Sequence, residues 1–203
     1  MAASITLSTG QFCTKPGLVF AVNSALTETF KQKLVESLNQ IPAGVFLNEG
    51  IKKSLQQKTA AYSDSRELTR LAGNAIGGGH LFVVNGTDFI KNRTLEEEVF
   101  GPAALLVECK DMDEMMQAAA RLSGHLTGTI HTDNDCEAEQ LKFILEEKVG
   151  RIIYNGFPTG VEVCPSMHHG GPYPSSTFAA TTSVGTAAIK RFCKVVCYQN
   201  APQ

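Results

Sequence analysis

The sequence lacks the long apolar run that a membrane span requires. No stretch approaches ~20 consecutive apolar residues, and the amino terminus, Met-Ala-Ala-Ser-Ile-Thr, has neither the basic start nor the apolar core of a signal peptide. Charge of one sign is also lacking, because 18 Lys and Arg stand against 20 Asp and Glu, for a net charge of −2. We therefore expect a soluble, cytoplasmic protein without affinity for nucleic acid or for a membrane.

Paired cysteines are missing as well. The six cysteines are scattered without a Cys-x-x-Cys pair, and they are Cys13, Cys109, Cys136, Cys164, Cys193 and Cys197. A chain of 203 residues that is 43% hydrophobic can bury a core without disulfides, so we expect reduced thiols. His168 and His169 are adjacent rather than at ligand spacing, and the sequence predicts no metal site.

The glycine-rich stretch at 73–79 lacks the spacing of a phosphate-binding loop. It contains neither Gly-x-Gly-x-x-Gly nor a Gly-Lys-Ser/Thr ending. We interpret it as a flexible connector.

Strand-like and helix-like patterns alternate along the chain. Short apolar runs at 17–22, 81–84, 103–108, 127–131 and 151–154 predict strands, and helices are predicted at 2–13, after Ser24, after Asn48, at 112–122 and at 137–148. Strand–helix–strand repetition with short links predicts an α/β fold, in which a mostly parallel sheet is flanked by helices in three layers. After Asn155 the periodicity disappears for a long Gly-, Pro-, Ser- and Thr-rich stretch, which is typical of a functional or partner-bound loop.

The last residues predict an interface. The stretch 191–199 is strand-like, and a terminal strand would leave an edge that a second chain can cover. We therefore divide the chain into a domain at 1–190 and an oligomerisation strand with its tail at 191–203, and we expect a homo-oligomer.

The candidate nucleophile lies near the amino terminus. Cys13 stands within Gly-Gln-Phe-Cys-Thr-Lys-Pro-Gly at 10–17, where Pro16 and Gly17 force a turn. A nucleophilic thiol needs access, a route to the thiolate and a rigid mount. A buried, inert cysteine is the more common alternative for a single cysteine. A second motif downstream, Glu-Glu-Val-Phe-Gly-Pro at 97–102, favours the reactive thiol.

Together these two motifs resemble the aldehyde dehydrogenase family. The resemblance continues through Asn-Gly-Phe-Pro-Thr-Gly-Val-Glu-Val at 155–163, His-Gly-Gly-Pro at 169–172, Thr-Thr-Ser-Val-Gly at 181–185 and Val-Cys-Tyr-Gln-Asn-Ala-Pro at 196–202. The longer pattern is similar to the branch that acts on 2-oxoglutarate semialdehyde. It implies an α/β catalytic domain in which a late strand serves oligomerisation.

The resemblance also implies roles for single residues. Cys13 would attack a small aldehyde and pass through a thiohemiacetal and a thioester, with its backbone N–H contributing to the oxyanion site. Glu98 would accept hydrogen bonds from the nicotinamide ribose of NAD or NADP, and Phe100 would position the ribose and the ring. Without the resemblance, the acidic run at 96–98 would be interpreted as a solvated turn and Phe100 as core. His168 and His169 are acid–base candidates by residue type, but the resemblance implies no role for them, and we interpret them as loop histidines.

Two classes of function remain open. The first is part of an NAD(P)-dependent aldehyde dehydrogenase, and the second is a self-sufficient thiol hydrolase or a non-catalytic oligomerisation module. Only twelve residues precede Cys13, so the resemblance implies that the upstream cofactor-binding domain is absent, and we expect the chain alone to be inactive. A clamp for a nicotinamide ribose at Glu98 and Phe100 favours the dehydrogenase, since a hydrolase does not use one.

Overall fold

The computed structural model describes residues 1–73, 75–158 and 160–202, without the side chains of residues 135 and 137. It contains helices α1 (Ala2–Thr6), α2 (Ala25–Gln40), α3 (Glu49–Asp64), α4 (Gly86–Lys91), α5 (Met112–Arg121) and α6 (Asp135–Glu146). The strands are β1 (Leu18–Val22), β2 (Thr69–Ala72), β3 (His80–Asn85), β4 (Ala103–Cys109), β5 (His125–Ile130) and β6 (Val149–Tyr154). Three short 3-10 helices lie at Leu7–Gly10, Arg93–Glu96 and Thr186–Phe192.

The strands form two sheets. The larger sheet has the order β1-β4-β3-β2, in which β1, β4 and β3 are parallel and β2 is antiparallel at the edge. The smaller sheet consists of the parallel pair β5 and β6. The predicted α/β architecture with a mostly parallel sheet flanked by helices is therefore confirmed.

Helices cover both faces of the larger sheet because its central strands are apolar on both sides. In β3, Phe82 and Val84 pack into one core together with Phe89 of α4, whereas Leu81 packs into a second core with Leu34 and Leu38 of α2. The same alternation follows β4. These layers hold β1 and β4 rigidly. The candidate site is built at the amino-terminal ends of these two strands.

The helix predicted at 2–13 ends earlier than expected. Helix α1 stops at Thr6, and Ser8, Thr9 and Gly10 all have positive φ values of 50°, 58° and 64°. The Thr9 hydroxyl donates a hydrogen bond to the Val45 carbonyl, a long-range contact that a continuous helix would not make. A Cβ on Gly10 would lie 2.3 Å from the Gly101 carbonyl carbon, so the two motifs touch through bare backbone.

Two other regions differ from the sequence-based expectation. Strand β2 is only four residues long, its first two residues are exposed, and no apolar run in the sequence predicts it. At the carboxyl end, Arg191 and Phe192 lie in a 3-10 helix, and residues 193–198 pair with no strand in the described part of the chain. The expected terminal strand therefore does not join either of the two sheets of this chain. The connector at 73–79 includes residue 74, which lies outside the described residues.

Candidate active site

Cys13 lies exposed on a loop, residues 11–17, which we call the cysteine loop. Gln11, the first residue of this loop, anchors it to the rest of the chain. The Gln11 side chain accepts a hydrogen bond from the Leu47 N–H at 2.8 Å and donates to the carbonyls of Ser8 and Val45. The loop is thereby tied to the segment that precedes α3.

The two residues after Cys13 are also fixed. The buried Thr14 hydroxyl donates a 2.6 Å hydrogen bond to the Pro158 carbonyl. Lys15, only 8% exposed, donates from Nζ to the carbonyls of Val99 at 3.2 Å and Ala103 at 2.7 Å. These bonds make the cysteine loop a rigid mount, as a nucleophilic thiol requires.

Burial changes the ionisation of Lys15. Removal from water lowers the pKa of its ammonium from 10.5 to about 8, and the negative charge of Glu98 opposes part of that shift. The ammonium is stabilised by two backbone carbonyls rather than by a direct ion pair. Lys15 thus joins the cysteine loop to the Glu-Glu-Val-Phe-Gly-Pro stretch at 97–102, which we call the glutamate segment.

Cys13, Glu98 and Phe100 line one cavity of ≈ 1170 Å³. Glu98 is exposed, and its backbone carbonyl accepts a 2.9 Å hydrogen bond from Lys58 Nζ. Phe100 is half-buried. The remaining wall includes residues of β1 and β5, because the cavity extends between the two sheets. The residues predicted from two distant motifs therefore border the same space.

The site also contains His169, to which the sequence assigns no role. The Nε2 atom of His169 lies 3.3 Å from Cys13 Sγ, although 156 positions separate the two residues. Its neighbour His168 makes no such contact with Cys13 among the described residues. The His-Gly-Gly-Pro motif marks His169 in the sequence. A separation of 156 positions, however, gives no indication that its ring contacts Cys13.

The described part of the chain contains neither a membrane span nor a metal cluster. None of its helices is long and apolar enough to cross a membrane. Within residues 1–73, 75–158 and 160–202, no three His, Cys, Asp or Glu side chains come together as metal ligands would.

Comparison with known proteins identifies a matching family and similar proteins. The family described as "Aldehyde dehydrogenase family" matches residues 1–196. Alpha-ketoglutaric semialdehyde dehydrogenase 2 of Azospirillum brasilense is 43% identical over 98% of this chain and 39% of its own length. Alpha-ketoglutaric semialdehyde dehydrogenase of Acinetobacter baylyi is 37% identical over 99% of this chain and 40% of its own length. The chain thus spans about two fifths of these relatives.

A solved structure supports the fold. The Delta-pyrroline-5-carboxylate dehydrogenase of Mycobacterium tuberculosis bound with NAD superposes with a TM-score of 0.71. The match covers 86% of this chain and 34% of that one, at 14% identity, so it speaks for the fold alone.

Proposed function

The chain belongs to the aldehyde dehydrogenase family, and we propose that it carries the nucleophile and part of the cofactor site of an NAD(P)-dependent semialdehyde dehydrogenase. The observation that supports this most strongly is the shared cavity. An exposed thiol on a rigid loop faces the same space as a carboxylate and an aromatic ring from the glutamate segment.

The residues present fit a nicotinamide nucleotide. The exposed Glu98 carboxylate can accept two hydrogen bonds from vicinal ribose hydroxyls, and the half-buried Phe100 offers an apolar surface beside it. Glu98 and Phe100 would hold the ribose and the ring near Cys13. The cofactor, when bound, supplies the hydride acceptor for the oxidation.

Cys13 performs the covalent chemistry in this proposal. Its sulfur attacks the aldehyde carbon, a new S–C bond forms, and the carbonyl π electrons move to oxygen to give a thiohemiacetal. The Cys13 backbone N–H is available to stabilise that oxygen as charge develops on it. After oxidation Cys13 holds the acyl group as a thioester until water releases the acid and restores the thiol.

The substrate class rests on the relatives. Both curated relatives above are named for alpha-ketoglutaric semialdehyde, and they match nearly the whole of this chain. We propose that compound, also called 2-oxoglutarate semialdehyde, as the substrate of the protein. A self-sufficient thiol hydrolase or a non-catalytic module is not favoured, because neither explains the glutamate segment beside the thiol.

We also propose a cytoplasmic location for the protein. All six cysteines are free thiols, the state that a reducing cytoplasm maintains.

The carboxyl-terminal segment exposes large apolar side chains, namely Ile189, Phe192, Val195, Val196 and Tyr198. Exposed apolar surface of this kind is commonly buried by association. We propose that this segment contacts a second copy of the chain in a homo-oligomer.

Alkylation of the native protein tests the nucleophile. Cys136 is exposed like Cys13 and lies outside the proposed carboxyl-terminal interface, so accessibility alone would give similar rates. We expect iodoacetamide at pH 7 to modify Cys13 about tenfold faster than Cys136, as measured by peptide mass mapping. A Cys13 rate equal to or below that of Cys136 would remove the basis for the proposed nucleophile.

A further inference from the structure

The imidazole of His169 has Cys13 as its side-chain partner. Nε2 lies 3.3 Å from Sγ, within the range of a hydrogen bond to sulfur, and the tautomer of the ring decides which atom donates. The other ring nitrogen, Nδ1, is buried and bonds to none of the described residues. Among the described residues, the hydrogen bond of this ring is therefore the one to the Cys13 thiol.

The backbone of His169 is fixed by the Thr-Thr-Ser-Val-Gly stretch at 181–185. The His169 N–H donates a 2.7 Å hydrogen bond to the hydroxyl of Thr182, which is 4% exposed. The His169 carbonyl accepts two more, from the N–H and the hydroxyl of Ser183, both at 3.0 Å. The Thr182 hydroxyl is held in turn by donating to the Val184 carbonyl at 2.8 Å. A motif that the proposed function leaves without a role is thus the support of His169.

The surroundings of the ring keep it neutral at pH 7. Partial burial, followed by the positive charge of Arg151 and by His168, lowers the pKa of His169 from its usual value. Among the described residues, Cys13 contacts the ring, and Arg151 and His168 act on its pKa through their charges. A neutral imidazole has a free lone pair, and it can accept a proton from a thiol.

We propose that His169 is the catalytic base that takes the Cys13 proton as the sulfur attacks the aldehyde, an inference that rests on the proposed nucleophilic role of Cys13. The S–H bond breaks as the N–H bond forms at Nε2, and the sulfur electron pair makes the S–C bond. The imidazolium then returns its proton to the new alkoxide, which gives a neutral thiohemiacetal and a neutral ring. No oxidant is needed in this step, and all atoms balance.

A pH series of alkylation tests this base. In His169→Gln, Cys13 must ionise without help, so we expect iodoacetamide modification at pH 7 to slow by about tenfold or more. Near pH 10 a free thiol is ionised on its own, and there the rates of variant and wild type should converge. His131→Gln is the matched control, because it removes an exposed imidazole that neither contacts Cys13 nor acts on the pKa of His169, and its rate should change by less than about twofold.

The outcomes separate the two proposals. An unchanged pH 7 rate in His169→Gln, or an equal slowing at every pH, would overturn the role of His169 as a base. A wild-type Cys13 that reacts no faster than the exposed Cys136 would instead overturn the nucleophile itself. If the Gln variant does not fold, as judged by circular dichroism, His169→Phe keeps the ring volume without its nitrogens and gives the same comparison.

Discussion

The buried ammonium of Lys15 donates a 2.7 Å hydrogen bond to the carbonyl oxygen of Ala103, the first residue of β4. A second bond to the Val99 carbonyl makes Lys15 the bridge between the cysteine loop and the glutamate segment. Together with the contact between Gly10 and Gly101, this interior side chain holds the thiol in its position relative to Glu98.

Replacement of Lys15 tests this bridge. In Lys15→Met two carbonyls lose their donor in a buried place, so we expect the free energy of unfolding to fall by ~1–3 kcal/mol. Urea denaturation provides the measurement. The control is Lys52→Met, which removes an ion pair to the 87% exposed side chain of Glu49 and should change stability by less than about 1 kcal/mol. Equal effects of the two substitutions would show that Lys15 is not a structural bridge.

The contact between Gly10 and Gly101 predicts a strict requirement for glycine. Gly10 has a φ of +64°, and an added Cβ would meet the Gly101 and Pro102 backbone at 2.3–2.4 Å. Gly10→Ala should therefore destabilise the fold by ~3 kcal/mol or more. Gly160→Ala is the matched control, because an added Cβ there would have nothing within 4 Å and its backbone is not left-handed. Thermal unfolding in which Gly10→Ala behaves like Gly160→Ala would contradict the close approach of the two motifs.

The buried His80 predicts acid sensitivity. Burial, aided by the charge of Arg70, lowers its pKa from 6.5 to about 4. Between those values the unfolded chain binds a proton that the folded chain does not, so the free energy of unfolding must fall as the pH falls. The contribution of His80, which is 3% exposed, is on the order of 3 kcal/mol.

His80→Phe measures that contribution. Phe keeps the ring at this position and removes the titration, so urea denaturation should show a smaller loss of stability between pH 6.5 and pH 4. His131→Phe, at an exposed histidine, should keep the wild-type slope. An unchanged slope in His80→Phe would mean that another group causes the acid sensitivity.

Local patterns account for most of the fold. Strands β3 and β4 and helices α2, α3 and α5 are predictable because their apolar spacing and their caps lie within a few residues, as with Ser24 accepting from the Thr27 N–H. Strand β2 exists through its pairing with β3, which no local pattern encodes.

The candidate site, too, is predictable where the signal is local and is not predictable where it depends on a long-range contact. The resemblance of two motifs points to Cys13, Glu98 and Phe100, whereas the contact of His169 with Cys13 joins residues 156 positions apart. Adjacent histidines in a loop without periodicity give no means of placing one ring against the thiol. The left-handed backbone at Ser8 and Thr9, just after α1, is hidden for a similar reason, since Thr9 bonds to the distant Val45 carbonyl.

The carboxyl-terminal segment predicts a concentration-dependent assembly. Val195 is fully exposed and Phe192 is 83% exposed, and burial of such side chains drives association. We expect multi-angle light scattering to report a dimer or a larger oligomer, and removal of residues from Arg191 onward to shift it toward monomer or to cause aggregation. An untruncated chain that is monomeric at all concentrations would contradict the proposed interface.

Protection of Cys13 by the aldehyde tests the central claim most directly. If Cys13 attacks 2-oxoglutarate semialdehyde, a saturating concentration of that compound should occupy the sulfur as a thiohemiacetal and slow its modification by iodoacetamide about fivefold or more. The exposed Cys136 should react at its usual rate in the same sample. Peptide mass mapping that finds equal Cys13 modification with and without the semialdehyde would contradict the assignment of Cys13 as the nucleophile.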